Sequence, residues 1–362
     1  MSTEPIRDLS RGRKRFQVIV ADSPLYDVML ATWSAFGGDD KVASHEVSKK
    51  WFDRFRTAVP DSTEERMSSL GLTDGAVWAG ILSYVAAKGP IETDAILRWL
   101  EDDSGELVGG LLSDFCWEAG DDDLEKALAG DAEASERVMG TCKPAVRESL
   151  RALRGAGDTL GPALAGVLAS IFEAAYQQLE PGWAPAIVAS AQSTRRVAEV
   201  MQPRELIEQI TNGIDYEIPL GTTRLIAIPT VSLRPWTLVM QFEDAVLVSY
   251  PVADEHLEAD PDAPPGWLVR YHKALGDDRR LRILRRLALG PASLTELTEL
   301  VGLAKSTVFH HIGVLRAAGL IKVRVDKDSD AGLSYQLRRK ALDDATFQLE
   351  KYLDIASTQE QP

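Results

Sequence analysis

Between Ser23 and about Gln209 apolar residues recur three or four positions apart almost without interruption, the rhythm of helices that each bury one face. Ser23 stands where an N-cap would and Pro24 at the first helical position, after which Leu25, Val28, Met29, Thr32 and Phe36 form one stripe. Val47, Trp51, Phe55 and Ala58 repeat the spacing until Pro60 stops it. Further helices are predicted around 75–87, 92–102, 107–118, 145–154, 162–179 and 185–201. Beyond Gly213 the period shortens: β-branched runs at 214–218, 224–228, 236–241 and 245–250, set off by proline, predict a small antiparallel sheet. Residues 253–266 hold five acids and three prolines with little to bury, which predicts an exposed linker.

Helical spacing then returns. Asp277 is placed to cap a helix with Leu281, Ile283, Leu284, Leu287 and Ala288 inward and Arg279, Arg282, Arg285 and Arg286 largely outward, closed by Gly290-Pro291. Ser293 and Glu296 have the spacing of a capping box for a short second helix, and Gly302 turns the chain. A third helix is predicted over 305–318, closed by Gly319, with strands at 320–325 and 333–337. Helix, helix, turn, helix and hairpin is a winged helix-turn-helix, whose third helix is sized for the DNA major groove. At 100° per residue, with Val308 inward, Ala304, Ile312 and Leu315 fall within about 40° of it and hold the fold. Ser306, Phe309, His310 and Gly313 lie between about 100° and 200°, with Lys305 on the flank, which makes this the face for the groove. His311 lies about 60° from the inward direction, where a half-buried, hydrogen-bonded histidine is expected.

The whole chain of 362 residues carries a net charge of -15, from 40 basic and 55 acidic residues, which alone argues against nucleic acid. The average conceals a split: residues 266–342 hold 15 Lys or Arg against 7 Asp or Glu, net +8, leaving 25 against 48 elsewhere, net -23. With 45% hydrophobic and 26% charged residues, disorder is excluded for the bulk. The longest uncharged stretch in the apolar middle, Thr159 to Phe172, falls short of the roughly 18 to 20 residues of a membrane span, so no membrane helix is expected. The basic cluster at 11–15 is followed by too short a run for a secretory signal, and the expected location is the cytoplasm. Cys116 and Cys142 have neither CxxC spacing nor a nearby histidine and read as two buried thiols.

The segment from Ala274 to Val325, ALGDDRRLRILRRLALGPASLTELTELVGLAKSTVFHHIGVLRAAGLIKVRV, resembles the winged helix-turn-helix of ArsR-type transcriptional regulators. Arg280 to Leu284 match that family's RLRIL element; Thr307, Val308, His311, Ile312, Leu315, Ala318, Gly319 and Leu320 match its recognition helix. The preceding FQVIVADSPLYDVML and RLIAIPTVSLRPW are similar to a subgroup of long regulators with a large N-terminal domain of unknown function. The resemblance implies a double-stranded DNA operator; the candidate contacts are Lys305, Ser306, Phe309 and His310 on the outward face with Thr307 and Arg316 on the same helix, and Arg324 and Arg338 on the strands as phosphate contacts. Three departures matter. The cysteine, histidine and carboxylate sets of the metal-sensing members are missing, so metal sensing is not implied. Ala304 stands where relatives carry a capping serine, and the hairpin tip, 326–332, has Asp326, Asp328 and Asp330 against Lys327, a poor probe for a minor groove.

Other motifs fail on inspection. His45-Glu46 opens HExxH, but Lys49 stands at the second ligand position; Gly155, Gly157 and Gly161 have one residue too many for a dinucleotide fingerprint; GLAKST at 302–307 lacks the glycine before the lysine. All eight tryptophans lie at or before Trp267 and either fill a core or line an apolar pocket. The expected fold is mainly α (α+β). A helical regulatory domain ending in a small antiparallel sheet (1–252) precedes an acidic linker (253–266), a winged helix-turn-helix (267–342), and a dimerisation helix with tail (343–362). The expected function is a DNA-binding repressor, a homodimer without catalytic residues, metal or cofactor, with no membrane partner and with room for a small-molecule effector. Its N-terminal domain senses a ligand or spaces the two reading heads. The alternatives are an enzyme or a protein-interaction scaffold controlled by the winged helix.

Overall fold

The computed structural model describes residues 16–37, 45–72, 75–102, 105–116, 118–257, 264–325, 333–339, 341–342, 349–350 and 352–353. The expected mainly α, α+β class holds. The chain opens with strand β1 (Gln17–Val20) and helix α1 (Pro24–Phe36), whose N-terminus is capped by the Ser23 hydroxyl accepting from the Leu25 N–H. A helical body follows: α2 (Lys49–Ala58), α3 (Asp61–Ser69), α4 (Gly75–Lys88), α5 (Thr93–Glu101), α6 (Glu106–Phe115), α7 (Asp121–Leu128), α8 (Ala132–Gly140), α9 (Pro144–Gly155), α10 (Leu160–Ile171), α11 (Trp183–Ala198) and α12 (Pro203–Ile210). Instead of burying one stripe, α1 is buried on nearly every side, because β3 and α11 pack on it as well as α4 and α2. The helical run Gly157–Leu179 is long and apolar enough to cross a membrane by length and composition, and 50% of its most apolar window is buried inside the body, where α10 packs on α5.

Among the described residues, α3, α7, α8 and α12, and α13 (Gly266–Leu275) further on, have no counterpart among the predicted helices. α3 buries only Thr63 and Met67, and α7 only Ala127, too few apolar positions to show a period. Their starts are set by acids in the first turn, and α8 by the Asp131 cap.

The expected antiparallel sheet is instead mixed. β1, β3 (Arg224–Thr230) and β5 (Ala245–Pro251) run parallel, and β4 (Val239–Phe242) returns antiparallel on the far edge, giving the order β1-β3-β5-β4. β3 and β5 are buried along almost their whole length, as strands covered on both faces must be, and continuous apolar runs of that kind belong to parallel sheets.

The cysteines also differ from expectation. Cys116, just after α6, and Cys142, between α8 and α9, form a disulfide with Cα atoms 5.4 Å apart. Packing of these helix ends brings the two sulfurs together inside the apolar core.

The C-terminal module consists of α13 (Gly266–Leu275), α14 (Asp278–Ala288), β6 (Ala292–Ser293), α15 (Leu294–Val301), α16 (Lys305–Ala317), β7 (Ile321–Val325) and β8 (Leu333–Leu337). Asp277 caps α14, and Ser293 and Glu296 make both bonds of the capping box. Gly302, at φ +71°, supplies the left-handed turn between α15 and α16. Ile283, Leu287, Leu297, Val308, Ile312, Leu315 and Tyr335 form its core. One strand of its sheet comes from outside: β2 (Ile214–Tyr216) pairs parallel with β7, Ile214 opposite Val323 and Tyr216 opposite Val325, giving the order β2-β7-β8-β6.

Candidate nucleic-acid interface

Helix α16 begins without a side-chain cap at Ala304, and its first turns leave Lys305, Ser306, Thr307 and His310 exposed on one side while Val308 and Ile312 are buried on the other. Two of the four carry donors on long or aromatic side chains and two carry hydroxyls, groups that hydrogen-bond base edges or phosphates. Phe309, 45% exposed, stands beside them with its ring stacked against Trp236 of the N-terminal body, centroids 6.0 Å apart and planes 3° from parallel. Gly313, expected on the open face, lies under the same Trp236 ring, where a Cβ would collide.

Arg316, expected to contact DNA, is instead only 5% exposed and spans the seam between module and body. Its guanidinium donates to the Thr211 carbonyl at 2.9 Å and the Pro235 carbonyl at 2.6 Å. Burial pushes its pKa down to about 10, and no carboxylate bonds it among the described residues. Eight residues after Val308, Arg316 stands about 80° from the inward direction at 100° per residue, between the core and the reading face, and the body occupies that flank. Arg338 is likewise engaged, donating to the Asn212 side-chain oxygen at 3.0 Å and to the Gly319 carbonyl. Arg324 is exposed on β7, opposite Asp215 in the ladder with β2. His311 is buried with its Nδ1 unpartnered among the described residues, not hydrogen-bonded as expected, and burial holds its pKa below the ordinary value.

The seam has further ties. Asn212, in the left-handed conformation at φ +56°, donates to the carbonyls of Arg316 and Ala317, so the body caps the C-terminus of α16. Lys322 of β7 meets Glu208 at 3.2 Å and Asp215 at 3.5 Å. Arg270 of α13 and the buried Arg234 share Asp254 and Glu46. Burial pushes the Asp254 carboxyl up, but hydrogen bonds from Arg270 and Arg234 outweigh it and hold the group below the usual carboxylate range. Asp215 is held low in the same way by Arg204 and Lys322. Sequence reasoning gave Asn212 and Arg234 no role and read Trp236 only as the start of a strand and as a core or pocket residue, because a contact with α16 across more than 70 positions leaves no period in the sequence.

Cations elsewhere on the module are partly engaged in holding it together. Arg280 donates to the Ala274 and Lys273 carbonyls, and Arg286 to Gly290 and Glu296, while Arg279 and Arg285 are exposed. The acidic hairpin tip, 326–332, and most of the expected dimerisation helix from Leu342 to Ala356 lie outside the described residues. Among the described residues no group of three or more His, Cys, Asp or Glu side chains is arranged to hold a metal ion.

The geometry of α14 to β7 agrees with the comparison to known families: residues 275–324 match a helix-turn-helix domain. No curated protein matches the chain. The match covers α14, the capping-box helix, the Gly302 turn, α16 and most of β7, so the C-terminal module is a helix-turn-helix domain of the kind that binds DNA.

Proposed function

We propose that the protein is a sequence-specific transcriptional regulator whose C-terminal module is a winged helix of ArsR type, acting as a repressor and as a homodimer on double-stranded DNA. The observation that carries this reading is the open first half of α16, where Lys305, Ser306, Thr307 and His310 stand together on a helix anchored by Val308, Ile312 and Leu315. Arg280 to Leu284 and the run from Thr307 to Leu320 support the ArsR assignment by their resemblance to that family. The role proposed is binding, in the cytoplasm, and not catalysis, with the N-terminal body setting where and when the reading helix is presented. Two reading heads suit a two-fold operator, and the exposed Tyr352 and Leu353 support pairing through the C-terminal segment. Sedimentation at micromolar concentration is expected to give a dimer; the mass of one chain, with and without DNA, would reject that part.

The test begins with duplexes selected from a random library on the full chain. In an anisotropy titration, the double variant Lys305→Ala, His310→Ala is expected to bind the selected duplex about 2 to 5 kcal/mol more weakly, with little change in thermal stability. Unchanged affinity removes α16 as the reading helix. Metal sensing is no part of the reading, so affinity is expected to be the same with zinc, copper, arsenite or a chelator.

A further inference from the structure

Of the residues expected to touch DNA, three meet the N-terminal body instead. The Phe309 ring lies parallel to that of Trp236, with centroids 6.0 Å apart. Arg316 donates to the carbonyls of Thr211 and Pro235, and Arg338 donates to the Asn212 side chain. One more cation, Lys322 of β7, is paired with Glu208 and Asp215, carboxylates that answer it as phosphate oxygens would.

The Trp236 ring also covers the outward side of α16 itself. Seen down the helix, Gly313 lies about 140° from Val308, close to Ser306 at about 160° and His310 at about 200°. The indole sits on Gly313 so closely that a Cβ there would collide with it. An α-helix with its side chains is about 10 to 12 Å across, and the major groove is about 12 Å wide. A groove that takes α16 therefore has no width left for an indole lying on that side. With the body in place, only the first turns of the helix are free to enter.

We propose that the body docked in this way is an autoinhibitory clamp, and that a DNA duplex and the body compete for the same side of α16. The proposal rests on the DNA-binding function proposed above and adds how that binding is held back. The clamp is short enough to give way: β2 adds only Ile214 to Tyr216 to the module's sheet, opposite Val323 to Val325, and the pairs made by Lys322 can be exchanged for pairs with phosphate. A clamp closed about nine-tenths of the time weakens the apparent DNA affinity about tenfold.

The test uses the full chain and two variants of the body that leave α16 and its charges intact. Trp236→Ala removes the ring from Gly313. Asn212→Gly keeps a left-handed backbone that glycine adopts freely, and removes the bonds to Arg316, Ala317 and Arg338. In anisotropy titrations with the selected duplex, each variant is expected to bind at least threefold more tightly than the parent, and the double variant at least tenfold. A second measurement needs no variant. The Val323 amide donates across the seam to the Gly213 carbonyl at 2.7 Å, so its hydrogen exchange in the parent is expected to quicken when duplex is saturating. Unchanged or weaker binding by variants that fold as the parent does, or a Val323 amide no faster with bound duplex than without, overturns the clamp and leaves the DNA-binding reading standing. If the variants do not fold, the exchange measurement decides. No duplex bound by the parent or by either variant removes the DNA-binding reading and the clamp with it.

Discussion

Gly313 and Arg316 show how a residue's work is set by what lies across from it. On a helix presented to DNA, a glycine and an arginine on the same flank read as a close approach and a phosphate contact. Here the glycine makes room for the Trp236 ring and the arginine holds two carbonyls of the N-terminal body. Gly313→Ala is therefore expected to push Trp236 out of place, costing about 1 to 3 kcal/mol. A red shift in tryptophan emission that is absent when Trp236→Phe is combined with it would locate the disturbance; no change in emission or stability would mean the ring is not packed there. Arg316→Ala leaves the Thr211 and Pro235 carbonyls without their donor, and a loss of about 2 to 4 kcal/mol is expected in urea unfolding. Were Arg316 a phosphate contact, the same change would weaken DNA binding and leave stability unaltered.

At the level of elements, caps and turns read from sequence carry through: Ser23 on α1, Asp277 on α14, the Ser293–Glu296 box and Gly302 all act within four residues of where they sit. Strand pairing does not have that locality. Four runs close together in sequence suggested an antiparallel sheet, yet β3 and β5 run parallel and β1 joins them from the start of the chain. The disulfide belongs to the same class, since a separation of 26 residues carries no trace of the 5.4 Å between the Cα atoms. Closing a loop of that length restricts the unfolded chain, and reduction is expected to lower stability by about 3 kcal/mol. Urea unfolding with and without a phosphine reductant measures it; coincident curves together with two titratable thiols would show that the pair is not bonded.

Across the whole molecule the basic module and the acidic body meet through opposite charges. Asp254 binds Arg270 and Arg234, and Asp215 binds Arg204 and Lys322. Both carboxyls lie below their usual range in the folded protein, so the unfolded chain holds its protons to higher pH. Their contribution is complete above the ordinary carboxylate pKa of about 4 and is lost as pH falls through the depressed folded values. The seam is expected to loosen in acid below about pH 4 and to be insensitive to pH between 6 and 8. Tryptophan emission of the full chain against pH follows this, with Asp254→Asn expected to flatten the acid transition; a transition centred near pH 6.5 would point to a histidine instead. The docked body also changes what the charge split does, because part of the module's cationic surface is already neutralised before DNA arrives.

What the sequence determined by itself was whatever depends on neighbours a few residues away: helical periods, caps, the Gly302 turn, and the outward side of the first half of α16. The helix-turn-helix was legible for that reason, being a compact unit whose core residues, from Ile283 to Tyr335, recur at helical and strand spacing. Tertiary structure alone decided which flank of α16 stays open. Arg316 and Thr211 are 105 positions apart, and no period links them. Their contact exists because β2 continues the module's sheet and brings the body against α16. An amphipathic pattern states that a face will be covered, but only the packed chain states by what.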